Sequence, residues 1–571
     1  ALSETCAPEV LIGPTPVVYP FIVNNPGEAA QAKRRISAVT IGHMTPPLIA
    51  AGAHGTALEL EGLFDEFAEA QALDPRRARA IAALILERGQ ESGLIKECAA
   101  DGKAPDEALI ALDAWLCDLK EMRIGDGLHV FGRSPESAEG FASGVDFDDA
   151  AGGALSERVA ACGAAESLGL LRALGGRFVP PGPAGAPARG RLDVLPTGRN
   201  LYAIDPRSAP TRNAWEIGRR AAQEILQRYA QDHGEWPKRI VLDLWGSATM
   251  RTGGDDLAQA FALLGCRPTW DVASTRVSGF EVLPLAMLGR PRVDVTLRIS
   301  GLFRDVFPSQ IALFAAAVRA VAALEESAGD NPLASLREPA RIFGAAPGAY
   351  GVGLGARIAR GDWAERSELA EAYLAATSHA YGGEGEAREA AAEFRQRVAG
   401  AEAFVHVQDL PGQDALDADA FAEHEGGFAA AAAEAGATPA LYHLDSTVAH
   451  ALKIRTLKQE IARALRGRAA NPRWIAGQMR HGHRGAAEIA QSLDNLYCFA
   501  ALTDAVESTQ FDLMFDATLG DDSVRAFLLQ ANRRAASHMA GVFEEAARRG
   551  FWRSRRNSSA RILSSVLTEA A

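Results

Sequence analysis

The sequence predicts a multidomain α/β protein, and three observations carry that prediction. Two short apolar runs, 240–245 and 293–300, stand between segments of helical period, as buried parallel strands do. Amphipathic helical spacing dominates the chain up to about Arg123. The length, 571 residues, corresponds to about four domains at roughly 150 residues each. In chain order this gives a mostly helical part, 1–210, with a functional loop at 175–200. A central, mainly parallel, Rossmann-like α/β domain spans 211–335. A mixed α/β part with long helices spans 336–571.

Each element has a local reason. Residues 19–25 read as a strand, and Pro26-Gly27 turns the chain into a helix starting near Glu28, whose carboxylate suits a first turn. Leu60, Leu63, Phe64 and Phe67 mark one face of the helices that follow. Nine of the 16 residues 175–190 are Gly or Pro, so that stretch is a loop, running into 191–200. The run 240–245 ends in Gly246. Helices are expected at 257–264 and 310–325, and short strands at 403–408 and 440–444. A long helix is expected over 448–468, with Leu452, Ile454, Leu457, Ile461 and Leu465 on one face. Residues 541–571 carry six Arg against three Glu and read as a basic, solvated tail helix.

Composition excludes several function classes. Lys plus Arg total 59 and Asp plus Glu 72, a net charge of −13, which argues against nucleic acid as the main partner. The most apolar helical stretch, 311–324, is interrupted by Arg319 and is too short to span a bilayer. The six Cys, at 6, 98, 117, 162, 266 and 498, form no CxxC pair, which fits a reduced, cytoplasmic protein. The chain opens at Ala1 without an initiator Met or a basic-then-apolar leader, so a processed chain or a fragment is expected.

The common catalytic signatures are missing. There is no GxxxxGK[ST], HExxH, CxxC or GxSxG, and the 351–355 glycines lack GxGxxG spacing. What remains is a set of imidazoles and carboxylates: His43, His406 with Asp409, Glu423-His424-Glu425, and His481-Gly-His483. Such groups bind borderline divalent cations and move protons, although each His alone is better read as a surface or capping residue. Arg189, Arg191, Arg199, Arg304 and Arg341 lie in Gly- or Pro-rich settings. They suit either a polycarboxylate ligand or internal ion pairs.

The same segments carry a family resemblance. They are Tyr19-Pro-Phe-Ile-Val-Asn-Asn-Pro-Gly-Glu28 with Lys33-Arg34-Arg35, His43-Met-Thr-Pro-Pro47, Gly125-Asp-Gly-Leu-His129-Val-Phe-Gly132, 185–200 and Gly301-Leu-Phe-Arg304-Asp-Val-Phe-Pro308. Arg341 to Tyr350-Gly351, 404–428 and Met479-Arg-His481-Gly-His483 follow in family order. Together they resemble the C-terminal half of the CobN-type large subunit of aerobic cobaltochelatase, which is similar to the magnesium chelatase large subunit.

The resemblance implies a ligase that forms nitrogen–metal bonds, inserting Co2+ as substrate metal into hydrogenobyrinic acid a,c-diamide in cobalamin biosynthesis. This chain would hold the macrocycle. ATP and Mg2+ would be used by partners, an AAA+ ATPase subunit and a subunit with a metal-ion-dependent adhesion site, leaving no nucleotide site here. It points to Glu28, His43 and His481 as catalytic, and to Arg34, Arg199, Asn200, Arg304 and Tyr350 for the ring. His406, His424 and Glu425 would meet the metal. A family motif of His-Gly, a nearby Glu and a Leu-Pro-Gly-Lys turn precedes the part matching Ala1 to Cys6, and here it is missing. His483 stands where the family more usually has an aromatic residue. The chain alone is therefore expected to bind the corrin weakly and not to insert cobalt. The alternatives are a magnesium chelatase large subunit, acting on Mg2+ and protoporphyrin IX, and a non-catalytic tetrapyrrole-binding scaffold.

Overall fold

A computed structural model describes residues 15–27, 38–136, 149–334, 340–383 and 387–570. Glu28, Arg34 and the helix expected around them lie outside the described residues, as does Cys6. Contacts divide the chain into two units. One is Ala1–Thr45, His129–Leu410 and Glu423–Arg455; the other is Pro46–Leu128, Pro411–Ala422 and Thr456–Ala571. The segments 1–210, 211–335 and 336–571 divide the chain by local pattern. Long-range contacts divide it differently, because strand pairing joins residues far apart in sequence.

The apolar runs of the first unit pair into an eight-stranded sheet. Its order is Arg388–Glu389, His379–Ala380, Ile342–Gly344, Asp294–Ile299, Arg239–Leu244, Ala403–Gln408, Ala440–Asp445, Lys453–Thr456. Pairing is parallel from Ile342–Gly344 to Ala440–Asp445 and antiparallel among the short strands before it. The two faces differ. Ile240, Leu242, Leu244, Val295, Leu297, Val405 and Leu444 alternate onto one face and join a core with Ile225, Phe261, Phe314 and Val318. The helices carrying those partners have clear signals. Thr211 caps Arg212–His233 by accepting from Ala214 N–H, and Gly234, at φ 80°, ends it. Pro308 opens Pro308–Ala322. On the other face Phe404 stacks on Phe428, and Phe343 lies against Phe394.

A second, four-stranded sheet in this unit has the order Val17–Ile22, Ala38–His43, Asn200–Tyr202, Pro181–Pro183. The first part of the chain is thus helical with short strands added. The Gly/Pro-rich 175–190 stretch is mostly irregular, with only Pro181–Pro183 in a strand and Pro187–Arg189 in one 3-10 turn.

The other unit is mainly helical. Gly55–Leu73, Pro75–Glu91 and Pro105–Glu121 pack through Leu60, Ile81, Ile85, Leu112 and Trp115. Leu48–Ala50 pairs antiparallel with Arg123–Gly125. Gly482–Leu502, Arg533–Arg548 and Ser559–Ala570 are its longest helices after residue 456.

Two expectations change. The 448–468 helix is instead the strand Lys453–Thr456, the helix Leu457–Ala464 and the π-helix Leu465–Ala469. Leu452 and Ile454 pack on the sheet core, and Thr456 with Gln459 forms a capping box that starts a new helix. The basic tail is not one solvated helix. Met539, Phe543, Leu563 and Val566 are buried on two packed helices, and five of the six Arg residues are exposed, Arg549 being partly buried beside Glu545.

Candidate active site

Register on the polar face of the eight-stranded sheet builds the site. Arg298 lies opposite Asp243, Asp243 opposite His406, and His406 opposite His443. Four polar side chains therefore form one row across four parallel strands, all of them buried. Isolated ionised groups do not survive such burial, so the row must neutralise itself. Arg298 Nε is 2.6 Å from Asp243 Oδ1. Asp243 Oδ2 accepts from Trp245 Nε1, 2.8 Å, and from His406 Nδ1, 3.0 Å. Burial alone would raise the Asp243 carboxyl. Arg298 and the neighbouring imidazoles outweigh it and hold it below its ordinary range. With its proton on Nδ1, His406 keeps Nε2 as its basic nitrogen.

Above this row passes the π-helix Ala422–Gly426, which supplies Glu423, His424 and Glu425. Single π-turns inside helices are frequent at functional sites. Glu425 Oε1 lies 3.2 Å from His443 Nδ1 and 4.0 Å from His406 Nδ1. His443 Nε2 is 2.7 Å from Gln408 Oε1. His443 is thus flanked by two oxygens. Either it donates at both nitrogens, or Glu425 carries the proton between them. The His424 ring meets the edge of Trp245 at 5.7 Å between centroids, and its buried Nδ1 has no hydrogen-bond partner. Burial first, then Arg298, pushes the His424 pKa well down, so it is a neutral imidazole. The Tyr373 hydroxyl is also buried without a partner.

A glycine loop fixes this segment. Gly353 N–H and Gly355 N–H donate to the Glu423 carboxylate at 3.2 and 2.6 Å. The glycines that do not fit a dinucleotide loop cradle an anion of this chain instead.

The expected residues fall in several places. His406, His424 and Glu425 come together, although among the described residues no group of three or more His, Cys, Asp or Glu side chains is arranged to hold a metal ion. His43 ends the strand Ala38–His43. One residue of the paired strand, Asn200, accepts from Thr40 N–H and lies opposite Ile41. Arg199 Nη2 donates to Asp193 O at 2.6 Å, while its buried Nε has no partner. Arg304 is held by Asp305, 2.7 Å, and by the carbonyls of Ala346 and Ala349, and lies 5.2 Å from the Tyr350 ring. Tyr350 hydrogen-bonds Asp305. In the other unit, His481 Nε2 accepts from Leu128 N–H at 2.9 Å, a structural contact. Of the remaining loop arginines, Arg189 donates to Asp409 O and Ser446 O and pairs with Asp255, Arg191 pairs with Asp193, and Arg341 pairs with Asp294.

Asp243, Arg298 and His443 escaped the sequence reading. A signal for the first two was present, because a charged residue inside a run such as Ile-Val-Leu-Asp-Leu or Thr-Leu-Arg-Ile must find a buried partner.

Comparison with known proteins agrees with this architecture. The CobN/magnesium chelatase family model matches residues 1–143 and 146–559. The aerobic cobaltochelatase subunit CobN of Sinorhizobium sp is 41% identical over 100% of this chain and 55% of its own length. That of Pseudomonas aeruginosa is 42% identical, over 96% and 53%. A magnesium-chelatase subunit of Cereibacter sphaeroides is 32% identical, over 96% and 46%. The solved catalytic subunit of cobaltochelatase from Mycobacterium tuberculosis superposes with a TM-score of 0.91 at 34% identity, covering 99% of this chain and 55% of that one. The chain spans about half the length of these relatives. On the family model and on this identity across nearly its whole length, the chain belongs to the CobN/magnesium chelatase family.

Proposed function

We propose that the chain is the macrocycle-handling part of a cobaltochelatase large subunit, acting on Co2+ and hydrogenobyrinic acid a,c-diamide. The observation that carries this reading is the buried row Arg298, Asp243, His406 and His443 beneath the π-helix with His424 and Glu425. Insertion needs two things from the protein: donors that replace water on the cation, and a base for the proton leaving a ring nitrogen. Neutral His424 and Asp243-oriented His406 supply imidazole nitrogen. Glu425 and His443, which already share one proton, would relay the ring proton onward rather than store it. Glu28 and His43 are further candidates for proton removal. Arg34, Arg199 and Asn200 are proposed to meet the acidic arms of the ring, and Arg304 with Tyr350 to shape its surroundings. His481 is proposed to act by holding the turn at Leu128.

Imidazole donors favour cobalt over magnesium, which prefers oxygen ligands and dehydrates reluctantly. This weighs against Mg2+ and protoporphyrin IX as substrates. Among the described residues no helix is long and apolar enough to cross a membrane, and we place the reaction in the cytoplasm. ATP and Mg2+ would be used by an AAA+ ATPase subunit and an adhesion-site subunit. Spectral titration tests the reading. The chain should bind hydrogenobyrinic acid a,c-diamide in preference to protoporphyrin IX. With the ATPase partners and the remaining half of the subunit, Co2+ and not Mg2+ should change the corrin spectrum. Preference for porphyrin with Mg2+ would transfer it to the magnesium chelatases. Ring binding without insertion of either metal would leave a tetrapyrrole scaffold.

A further inference from the structure

A cavity of about 340 Å³ opens in the first unit, at one end of the eight-stranded sheet. Arg189, Arg191, Arg251 and His450 stand in its wall, and among the described residues no Asp or Glu does. In a chain of net charge −13 that is a local reversal of sign. Topology explains the position. Arg239–Leu244 and Ala403–Gln408 are neighbours, but the first is followed by Asp294–Ile299 on one side and the second by Ala440–Asp445 on the other. Their connections leave the carboxyl ends in opposite directions, and ligands of open α/β sheets bind in the crevice outside such ends. The wall is built from those ends. Met250 to Gly253 close the helix that follows Leu244, Arg251 is held by Asp409 just past Gln408, and Thr447 and His450 follow Asp445.

The guanidinium groups are fixed by carboxylates outside the wall without being used up. Arg251 donates Nε and Nη2 to Asp409 at 2.6 and 2.8 Å, and Nη1 to Asn24 O at 2.9 Å. Arg189 donates Nη1 to the Asp409 and Ser446 carbonyls and Nη2 to Asp255, which leaves Nε–H without a protein partner yet not sealed from solvent. Arg191 gives Nε and Nη2 to Asp193, both at 2.8 Å, and keeps Nη1. Burial pushes the Asp255 carboxyl up to about 7, against the pull of Arg189 and helped by Asp256 and Asp409. At neutral pH it therefore offsets only part of the Arg189 charge. Guanidinium forks held in place suit bidentate recognition of carboxylate or phosphate. Asn213, in the first turn of Arg212–His233, adds the positive end of a helix to the wall.

We propose that this cavity binds an oxyanion group, carboxylate or phosphate, carried by a free small molecule or by an acidic arm of the macrocycle. Ligand pockets run from about 300 Å³ upward, so the cavity takes such a group and not a whole tetrapyrrole. Arg189 and Arg191 grip the oxyanion, and Arg251 adds charge. The site lies beyond the buried row and does not rest on the insertion reading.

Inorganic phosphate and succinate, titrated into the 571-residue chain at fixed ionic strength and followed by calorimetry and phosphorus NMR line width, test this. Both should bind saturably and compete for one site. Arg189→Gln and Arg191→Gln should each weaken phosphate about tenfold, the scale of one charge-assisted hydrogen bond. Asn213→Asp should weaken it comparably, because it sets a carboxylate in the wall, while an acidic residue suits a first turn and keeps the fold. Arg395→Gln, at an exposed ion pair outside the wall, should change nothing. Asn213 is exposed and Arg191 half-exposed, so their variants decide the matter if Arg189→Gln unfolds by circular dichroism. Displacement of phosphate by hydrogenobyrinic acid a,c-diamide would assign the site to a ring arm. Phosphate retained beside the bound ring would assign it to a separate small anion. Phosphate binding unaltered in the folded Arg191→Gln or Asn213→Asp chain, or no saturable binding of either probe, would overturn the site and leave the insertion reading standing. Failure of the complete subunit to insert cobalt, with phosphate binding intact, would overturn that reading alone.

Discussion

At the residue scale, the account depends on charges that have nowhere to go except to each other. Asp243 is the clearest case, since Arg298, Trp245 and His406 all converge on its two oxygens. Asp243→Asn would leave Arg298 buried without its counter-charge. Breaking such a pair costs about 3–5 kcal/mol, so urea unfolding should show a loss of that order, and Arg298→Met in the same chain should restore part of it. Asp256 gives the opposite kind of test. Burial pushes its pKa up to about 7, opposed by the Leu257 N–H and the Thr249 hydroxyl. The folded state therefore holds a proton that the unfolded chain releases near the ordinary value of 3.8. Stability from this group is full at low pH and is lost as pH rises through about 7. Relative to wild type, Asp256→Asn should gain stability between about pH 4 and about pH 8, by up to about 4 kcal/mol, in denaturant titrations across that range. Legibility at this scale was uneven. His406, His424 and Glu425 could be read as candidates from residue type and strand end. His443 could not, because only cross-strand register sets it beside His406.

At the element scale, the central strands were legible because a strand buried on both faces is a mainly apolar run, interrupted here only by the few polar residues of the buried row. The run 403–408 is a strand over the same residues, and 240–245 shifts by one to Arg239–Leu244. Between 448 and 468 the apolar spacing fits one helix, but the sheet edge recruits Lys453–Thr456 first. Tertiary pairing there overrides local period, and the capping box at Thr456 marks where the helix really starts. Thr456→Ala removes the bond to Gln459 N–H and should cost about 1 kcal/mol, read as a lower midpoint in chemical unfolding with unchanged slope. The π-turn at 422–426 was not legible at all. It depends on the Gly353–Gly355 loop binding Glu423 and on Gly427, where a Cβ would come within 2.4 Å of the Tyr373 ring.

At the scale of the whole molecule, the net charge of −13 sits on a protein whose loop arginines are mostly engaged by its own carboxylates and carbonyls. Few are left to hold an acidic ring, which focuses attention on Arg199 with its unpartnered Nε. The chain matches about half of each relative. Alone it is therefore expected to bind the corrin weakly and to insert no cobalt. The central claim is that Asp243-oriented His406 serves the metal and proton exchange. The most direct measurement is the initial rate of the Co2+-dependent spectral change of hydrogenobyrinic acid a,c-diamide, using the complete large subunit with its partners and either wild-type His406 or His406→Asn. The account predicts unchanged ring binding with insertion slowed by about 10²-fold or more, the scale of a lost acid–base group. Insertion at the wild-type rate by His406→Asn would contradict it.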